Sequence, residues 1–300
     1  MKSKKSYRHI RKKTIEEIVT FIEHHKKVYT VKRICKVLKF PRSIYYKALL
    51  RVPSNREKEA STLKSEIYEI WKESKRRYGA PKIQKVLESQ GKKVSLKRVQ
   101  RYMKELGIRS IVVKKFRYHC EKVTSDEKEN LLKRDFTTTA IHQKGCTDIT
   151  YIYTKKDGWL YLASVMDLHS KKILGYAYDV SMTAELAIKA VKNACLNVKD
   201  TDGILLHSDL GVQYTSHAFE TCLKERGMLH SFSRKGTSYD NACIESFHSI
   251  LKKEEVNQKE YDDFKSAKRA LFEYIESWYN RKRIHSAINY LTLQAAHSAA

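Results

Sequence analysis

The sequence has no C-x-x-C pair, and its six cysteines (Cys35, Cys120, Cys146, Cys195, Cys222, Cys243) are scattered through 300 residues. That excludes the spacings of structural zinc sites, and His24, His25 and Cys35 have no partners at ligand spacing either. The thiols read as reduced and structural, as in a cytosolic protein. No run of 18 apolar residues is present, so nothing is expected to span a bilayer. The basic opening MKSKKSYRHIRKK leads into no apolar signal core. No lipidation motif or amphipathic anchor points to a membrane surface. P-loop, G-x-S-x-G and dinucleotide fingerprints are all missing.

Negative charge is scarce in the first half. Residues 1–140 carry 39 Lys/Arg against 15 Asp/Glu, whereas residues 141–300 carry 21 against 19. The basic half calls for a polyanionic partner. Apolar residues make up 41% of the chain, enough for a globular core in one to three domains.

Ile15, Ile18, Val19 and Ile22 share a helical face, and Thr14 with Glu17 makes a capping box. Shorter helices are expected over Val31–Leu38 and Ser43–Leu50, parted at Phe40-Pro41. This is a helix-turn-helix plan over residues 1–52, with Arg42, Tyr45, Tyr46 and Lys47 as the groove-facing set. The polar stretch 51–60 reads as a linker. A second helix-turn-helix is expected over 57–110, from helices Leu63–Arg77, Ala80–Gln90 and Ser95–Leu106. The last is capped by Ser95, stopped by Gly107, and shows Lys97, Arg98, Arg101 and Lys104 on one face. Alone, either basic helix could be merely solvated; two in the basic half point to DNA. Residues 111–140, with Lys114, Lys115 and Arg117 followed by an acidic stretch, read as a connector.

From residue 146 the periodicity changes to that of strands. TDITYIYT, WLYLASVMDL and KILGYAYDV are separated by turn residues and predict an antiparallel meander. Helix Ala184–Leu196, strand Gly203–His207, helix Ser216–Arg226, strand Met228–Phe232 and helix Asp240–Glu255 follow. The expected class is therefore an α/β core with a mixed sheet and flanking helices over 141–258. A C-terminal helix, Asp262–Tyr279, and a basic tail complete residues 259–300.

Three acids fall in three settings: Asp148 within a strand, Asp209 just past a strand, and Glu245 on a helix, with 35 residues between the last two. Taken singly, each has an ordinary reading as a local cap or a solvated carboxylate. Brought together, they could hold two divalent metals for phosphodiester chemistry. Gln213, Tyr214 and neighbouring hydroxyls suit phosphate. Arg234 and Lys235 lie in a glycine loop suited to gripping DNA. Lys252 lies two helical turns from Glu245 on the same face, where a cation could hold a phosphate. Asp240 and Asn241 are expected to cap the helix, and Asp167 to serve a β-turn with His169.

These stretches carry a resemblance. TDITYI, HSDLGVQYTS, SRKGTSYDNACIESFHSILKKE and YNRKRIHSAINYLT, with YGAPKI and NLLKRDF upstream, resemble the integrase-core transposases of bacterial insertion sequences. They correspond to the second-reading-frame product of the family numbered three, of the DDE class and similar to retroviral integrase. The resemblance covers nearly the whole chain. It implies an RNase H-like fold with a five-stranded mixed sheet. It implies that Asp148, Asp209 and Glu245 bind two Mg2+ ions, with Mn2+ as a substitute. It implies strand cleavage by water and transfer by the freed 3′ hydroxyl, with no covalent protein–DNA intermediate. The expected partners are duplex DNA (terminal repeats and target), further copies of the chain, and the first-reading-frame protein. The expected location is a bacterial cytoplasm, at the nucleoid. Two positions depart from the pattern: Cys146 stands where Trp is usual, and Leu293 where Pro is usual. The first is expected to loosen packing beneath the strand and the second to alter only a turn. Two other readings stay open: a catalytically inactive DNA-binding protein, and an RNase H-type hydrolase of RNA–DNA hybrids.

Overall fold

The structure is a computed structural model and describes residues 14–112, 129–234 and 237–300. They fall into two compact units divided between Glu66 and Ile67.

In the first unit, α1 (Ile15–His25), α2 (Val31–Leu38) and α3 (Arg42–Leu49) close on a small core of Ile22, Ile34, Cys35 and Tyr45. The Thr14–Glu17 capping box is formed. Tyr45 is not groove-facing as expected: its ring is buried and its hydroxyl donates to Glu23. Tyr45 is the one large side chain α3 can turn toward Ile22, so packing takes it. Arg42, Tyr46 and Lys47 are exposed.

Helix α4 (Asn55–Glu73) begins inside the stretch read as a linker. Ser54 and Glu57 bond each other's backbone amides, a capping box that outweighs the polar composition. Helices α5 (Ala80–Ser89) and α6 (Leu96–Glu105) follow. Ser95 accepts from the Arg98 amide at 3.3 Å, as expected of an N-cap.

The second unit is built on five strands: β1 (Lys144–Thr154), β2 (Gly158–Asp167), β3 (Ile173–Asp179), β4 (Leu205–Ser208) and β5 (Leu229–Phe232). Their order is β3-β2-β1-β4-β5. The meander is antiparallel, while β4 and β5 join in parallel. Parallel pairing needs crossovers, which α7 (Ala184–Cys195) and α8 (His217–Lys224) supply. Alanines 187, 190 and 194 of α7 press on Ala163, Val165 and Ala177 of the sheet. The small residues let the helix backbone come close. A Cβ added at Gly175 would lie 2.1 Å from the Ala194 amide nitrogen.

Helix α9 (Ala242–Glu254) packs on β1. It is followed by α10 (Phe264–Phe272), which runs on as a π-helical segment over Glu273–Tyr279. The wider turn brings Tyr274, Ile275, Trp278 and Tyr279 all into the interior. Last comes α11 (Leu293–Ser298), capped by Thr292. Leu293 at its first position is fully buried, so the residue replacing the usual proline anchors the tail. Cys146 is also fully buried.

Residues 129–140, within the segment read as a connector, are docked on the sheet. Leu132 is buried and its amide donates to Ser231 Oγ at 2.9 Å. Lys114, Lys115, Arg117 and Cys120 lie outside the described residues. Among the described residues no helix is long and apolar enough to cross a membrane.

Gly175→Ala should destabilise the protein by about 3 kcal/mol, since the methyl group meets backbone that cannot rotate away. Urea unfolding with unchanged slope and a lower midpoint would show it; an unchanged midpoint would mean that α7 does not sit this close to β3.

Candidate active site

Parallel register sets the first two acids. Cys146 of β1 pairs with His207 of β4. Two residues beyond that last pair stand Asp148, still in β1, and Asp209, just past β4, near enough for the charge of Asp148 to act on Asp209. Asp209 is at the carboxyl end of β4, where chains turn away from a parallel sheet and leave a crevice. Gly211 makes the sharp exit: its amide donates to Asp209 Oδ1 at 3.0 Å, and a Cβ there would crowd that same oxygen.

Glu245 comes from the first turn of α9. Ile244, Phe247, His248 and Leu251 form the buried stripe of this helix, so Glu245 is left at the rim. Asn241 precedes the helix, but its side chain does not cap it. Its Nδ2 instead donates to the Thr147 carbonyl at 3.1 Å, tying the helix start to β1 beside Asp148. Asp240 does not cap either. It is fully buried and accepts from Arg134 Nε at 2.5 Å, Asn130 Nδ2 at 2.9 Å, and the Arg234 amide and guanidinium at 3.0–3.1 Å. Those bonds hold its carboxyl well below the usual range despite burial.

Arg234 is paired with Asp240 while its side chain stays 60% exposed, so one edge of the guanidinium is still open to a phosphate. The assignment of Tyr214 to DNA is corrected: it is 1% exposed, beneath the site, with its hydroxyl 3.3 Å from Thr147 Oγ1. Gln213 is buried and donates to the Met182 carbonyl at 3.4 Å. A polar residue after a strand looks available for phosphate in sequence; here the loop folds it inward. Lys235 lies outside the described residues. Asp167 does serve the turn, accepting from the Ser170 amide at 2.7 Å and hydroxyl at 2.6 Å, while His169 bonds Thr138 instead.

His248 was not anticipated. Its Nδ1 lies 3.3 Å from Asp148 Oδ2, and its buried Nε2 has no hydrogen-bond partner. The spacing of Glu245 and His248, three apart on one helix, was the available signal. Below the site, His207 Nδ1 meets Ser231 Oγ at 2.8 Å and its Nε2 meets Ser233 Oγ at 3.0 Å. Burial lowers its pKa to about 4, so this imidazole is a neutral brace.

The acids feel one another. Glu245 is pushed up to about 7, first by desolvation and then by the charges of Asp148 and Asp209. Asp209 is raised by desolvation and by Asp148, against the Gly211 hydrogen bond. Like charges held this close await a cation. The donor set, three carboxylates, is of the hard-oxygen kind that suits magnesium or manganese. Among the described residues no three His, Cys, Asp or Glu side chains are already gathered into a metal cage. Lys252 lies with Nζ 4.1 Å from the Tyr151 ring centroid, and burial lowers its pKa against the pull of Asp148.

The integrase core domain family matches residues 138–238, a second integrase core description matches 226–292, and an HTH-like domain matches 58–116. Transposase InsF for insertion sequence IS3A of Escherichia coli (strain K12) is 36% identical over 273 residues, covering 89% of this chain and 93% of that protein. The chain belongs to the integrase-core transposases of bacterial insertion sequences. The transposase for insertion sequence element IS904 of Lactococcus lactis subsp. lactis (strain IL1403) is also 36% identical, over 80% of this chain and 95% of that one. Among solved structures, the HTLV-2 integrase catalytic core domain in complex with magnesium (trimeric form) is similar with a TM-score of 0.42. Its identity is 16%, over 54% of this chain and 99% of that chain. This transposase is a DDE-type enzyme that cuts and joins DNA. The two integrase-core matches between them contain Asp148, Asp209 and Glu245.

The raised Glu245 has a stability consequence. Between its ordinary value near 4.5 and about 7, the folded transposase keeps a proton that the unfolded chain has released. Metal-free stability from this group therefore falls as pH rises through that window. Glu245→Gln should be more stable than wild type at pH 8 by about 1 kcal/mol, the coupling being screened at an exposed rim, and equal to it at pH 5. Urea melts in EDTA at both pH values check this; equal stability at pH 8 would show that the acids are not coupled.

Proposed function

We propose that Asp148, Asp209 and Glu245 are the catalytic carboxylates of the transposase and together hold two divalent cations, magnesium or, in its place, manganese. The observation that supports this is that the three carboxylates act on one another, Asp148 on Asp209 and both of them on Glu245 from the first turn of α9, beside the end of the β1–β4 pairing. When bound, such cations activate the attacking oxygen and offset charge on the phosphate and the leaving oxygen. The chain's own part is positional. Asp148 has one oxygen on the Ile149 amide at 2.8 Å and the other toward His248, so its carboxylate is aimed before any ligand arrives. Gly211 does the same for Asp209. Lys252, near Asp148, is placed to take a phosphate oxygen. Water is the nucleophile for cutting at an element end, and the freed 3′ hydroxyl is the nucleophile for joining.

DNA contacts are assigned to exposed basic side chains on the helical regions: Lys97 and Arg101 on α6, Arg42 and Lys47 on α3. Arg98 lies partly against the Tyr102 ring and serves more in packing. Residues 1–52 and 57–110 are then the DNA-binding regions, 141–258 the catalytic core, and 259–300 its C-terminal support. Synapsis of two ends calls for more than one copy, and the first-reading-frame protein is the further partner to test.

On a duplex carrying the element's own end, with magnesium and with the first-frame protein present or absent, wild type should nick and transfer strands. Asp148→Asn, Asp209→Asn and Glu245→Gln should each lose at least about a thousandfold in rate while binding the end as well as wild type. Cleavage surviving in any of them would remove that residue from the set. Binding intact in wild type without cleavage in either condition would favour the inactive DNA-binding reading.

DNA affinity should also fall steeply with salt. A log–log slope near roughly −0.9 per phosphate neutralised is expected. Lys97→Ala and Arg101→Ala together should flatten it by about 2 if both residues reach phosphates. An unchanged slope would place the DNA elsewhere.

A further inference from the structure

Beyond Asp148, β1 continues past the end of its pairing with β4, which stops at Cys146. It forms a two-stranded tip with β2 that carries three large aromatic side chains in the open. Tyr151, Tyr153 and Trp159 are each half or more exposed. They pack on one another edge to face, with Trp159 5.1 Å from Tyr151 and 5.3 Å from Tyr153 between ring centroids. Beside them is an open cavity of about 470 Å³, whose lining includes Tyr151, Tyr153, Trp159 and Lys252. An aromatic cluster of this size has a cost in water and is normally covered.

The surroundings say what covers it. Tyr151 and Tyr153 stand three and five residues along β1 from Asp148, on the other face of the pleat, so the link to the candidate site is Lys252, whose ammonium feels the Asp148 charge. Lys252, from the helix that carries Glu245, places its ammonium on the Tyr151 ring at 4.1 Å. Lys155 and Lys259 also line the cavity, the first paired with exposed Glu260 and the second with buried Glu255. Flat π-faces beside a cation, next to a phosphodiester-cutting site, are the elements by which proteins hold unpaired bases.

We propose that this platform stacks an unpaired nucleobase of the DNA strand being cut, on Trp159 and Tyr153, with Lys252 on the adjoining phosphate. The proposal rests on the assignment of the three acids as the cleavage site. It makes opening of the terminal base pairs part of substrate recognition: an end that is frayed, or left single-stranded after cleavage, is held better than a closed one. Sequence tolerance follows, since every base offers a π-face.

The test uses the full chain and two synthetic duplexes, one blunt and one with a three-nucleotide single-stranded overhang at the end, carrying 2-aminopurine in the overhang. Wild type should bind the overhang duplex about tenfold more tightly than the blunt one and quench the 2-aminopurine. Trp159→Ala and Tyr153→Ala should lose both effects, and Trp159→Phe should keep them. Both positions are exposed, and circular dichroism checks that the variants fold. Equal quenching and equal overhang preference in wild type and the alanine variants would overturn the proposal. So would a change in self-association on sedimentation with the fluorescence unmoved, since the face would then be a protein interface. Magnesium-dependent cleavage on the same duplexes separates the two ideas. Cleavage lost in Glu245→Gln without any stacking signal sinks the platform alone; a stacking signal with cleavage unaffected by Glu245→Gln sinks the acid assignment that underlies it.

Discussion

The second unit depends on one buried carboxylate. Glu254, at the last turn of α9, accepts from Arg283 Nε and Nη2 at 3.1 Å, from the Tyr274 hydroxyl at 3.1 Å and from the Trp278 indole at 3.0 Å. Arg77 adds a layer: its guanidinium lies 5.0 Å from the Tyr274 ring and 4.8 Å from that of Trp278 and donates to Glu255 at 2.9 Å. A carboxylate at a helix C-terminus faces the negative end of the dipole, and burial penalises it further. Arg283 and the donors around it overcome both and keep the acid ionised. Pairs of this kind contribute little net stability, but removing one partner strands a charge at a cost of about 3–5 kcal/mol. What the cluster supplies is direction. It fixes the far end of α9, while Asn241 fixes the near end on β1. Glu245 is therefore carried on a rod held at both ends. Tyr274 and Trp278, four apart on the π-helical segment, both reach Glu254 from it.

A rigid mount is needed because the site opposes itself. Three carboxylates near one edge are desolvated and repel one another, and the two effects together raise Glu245 and Asp209, burial being the larger. Left on mobile loops they would separate. Here one stands in β1, one just past β4 and the third on a pinned helix, so the repulsion is stored until a cation relieves it. The packing beneath is correspondingly costly to change: small residues against α7, a neutral His207 held between Ser231 and Ser233, and a buried Tyr214 under Asp148. Stability is given up at the edge and recovered in the layers below, a common arrangement around catalytic groups.

The sequence was legible where signals were local. Period-two runs marked the meander, Ser95 and Gly107 marked the ends of α6, and the three acids stood out by their settings. It was illegible where a side chain's partner lay far along the chain. Asp240 looked like a helix cap because the bonds of Arg134 and Asn130 to it span more than 100 residues and leave no pattern. Tyr45 and Tyr214 looked exposed because an aromatic residue among polar ones suits a groove and a core alike. The reverse error occurred at Ser54, where composition suggested a linker and a capping box made a helix. The parallel pairing of β1 with β4, which brings Asp148 and Asp209 toward one sheet edge, was invisible too, since register between strands distant in the chain is fixed by neither strand alone.

The uneven charge follows from the same chemistry. A bare acid triad repels the phosphate it must cut, so the catalytic half cannot draw DNA in by charge; residues 141–300 carry 21 basic and 19 acidic residues. Affinity has to come from groups remote from the reacting bond and be spent in holding a phosphate against the acids until cations offset them. Residues 1–140 carry the surplus, 39 basic against 15 acidic. Were that surplus placed around the acids instead, it would pair with them, lower their proton affinity and compete with the cations for the same oxygens. Arg234 shows what becomes of an arginine close by: a buried aspartate outside the triad takes it. Separation of binding charge from catalytic charge is thus a requirement of metal-dependent strand transfer, and the sequence meets it by placing nearly all of its excess cations ahead of β1.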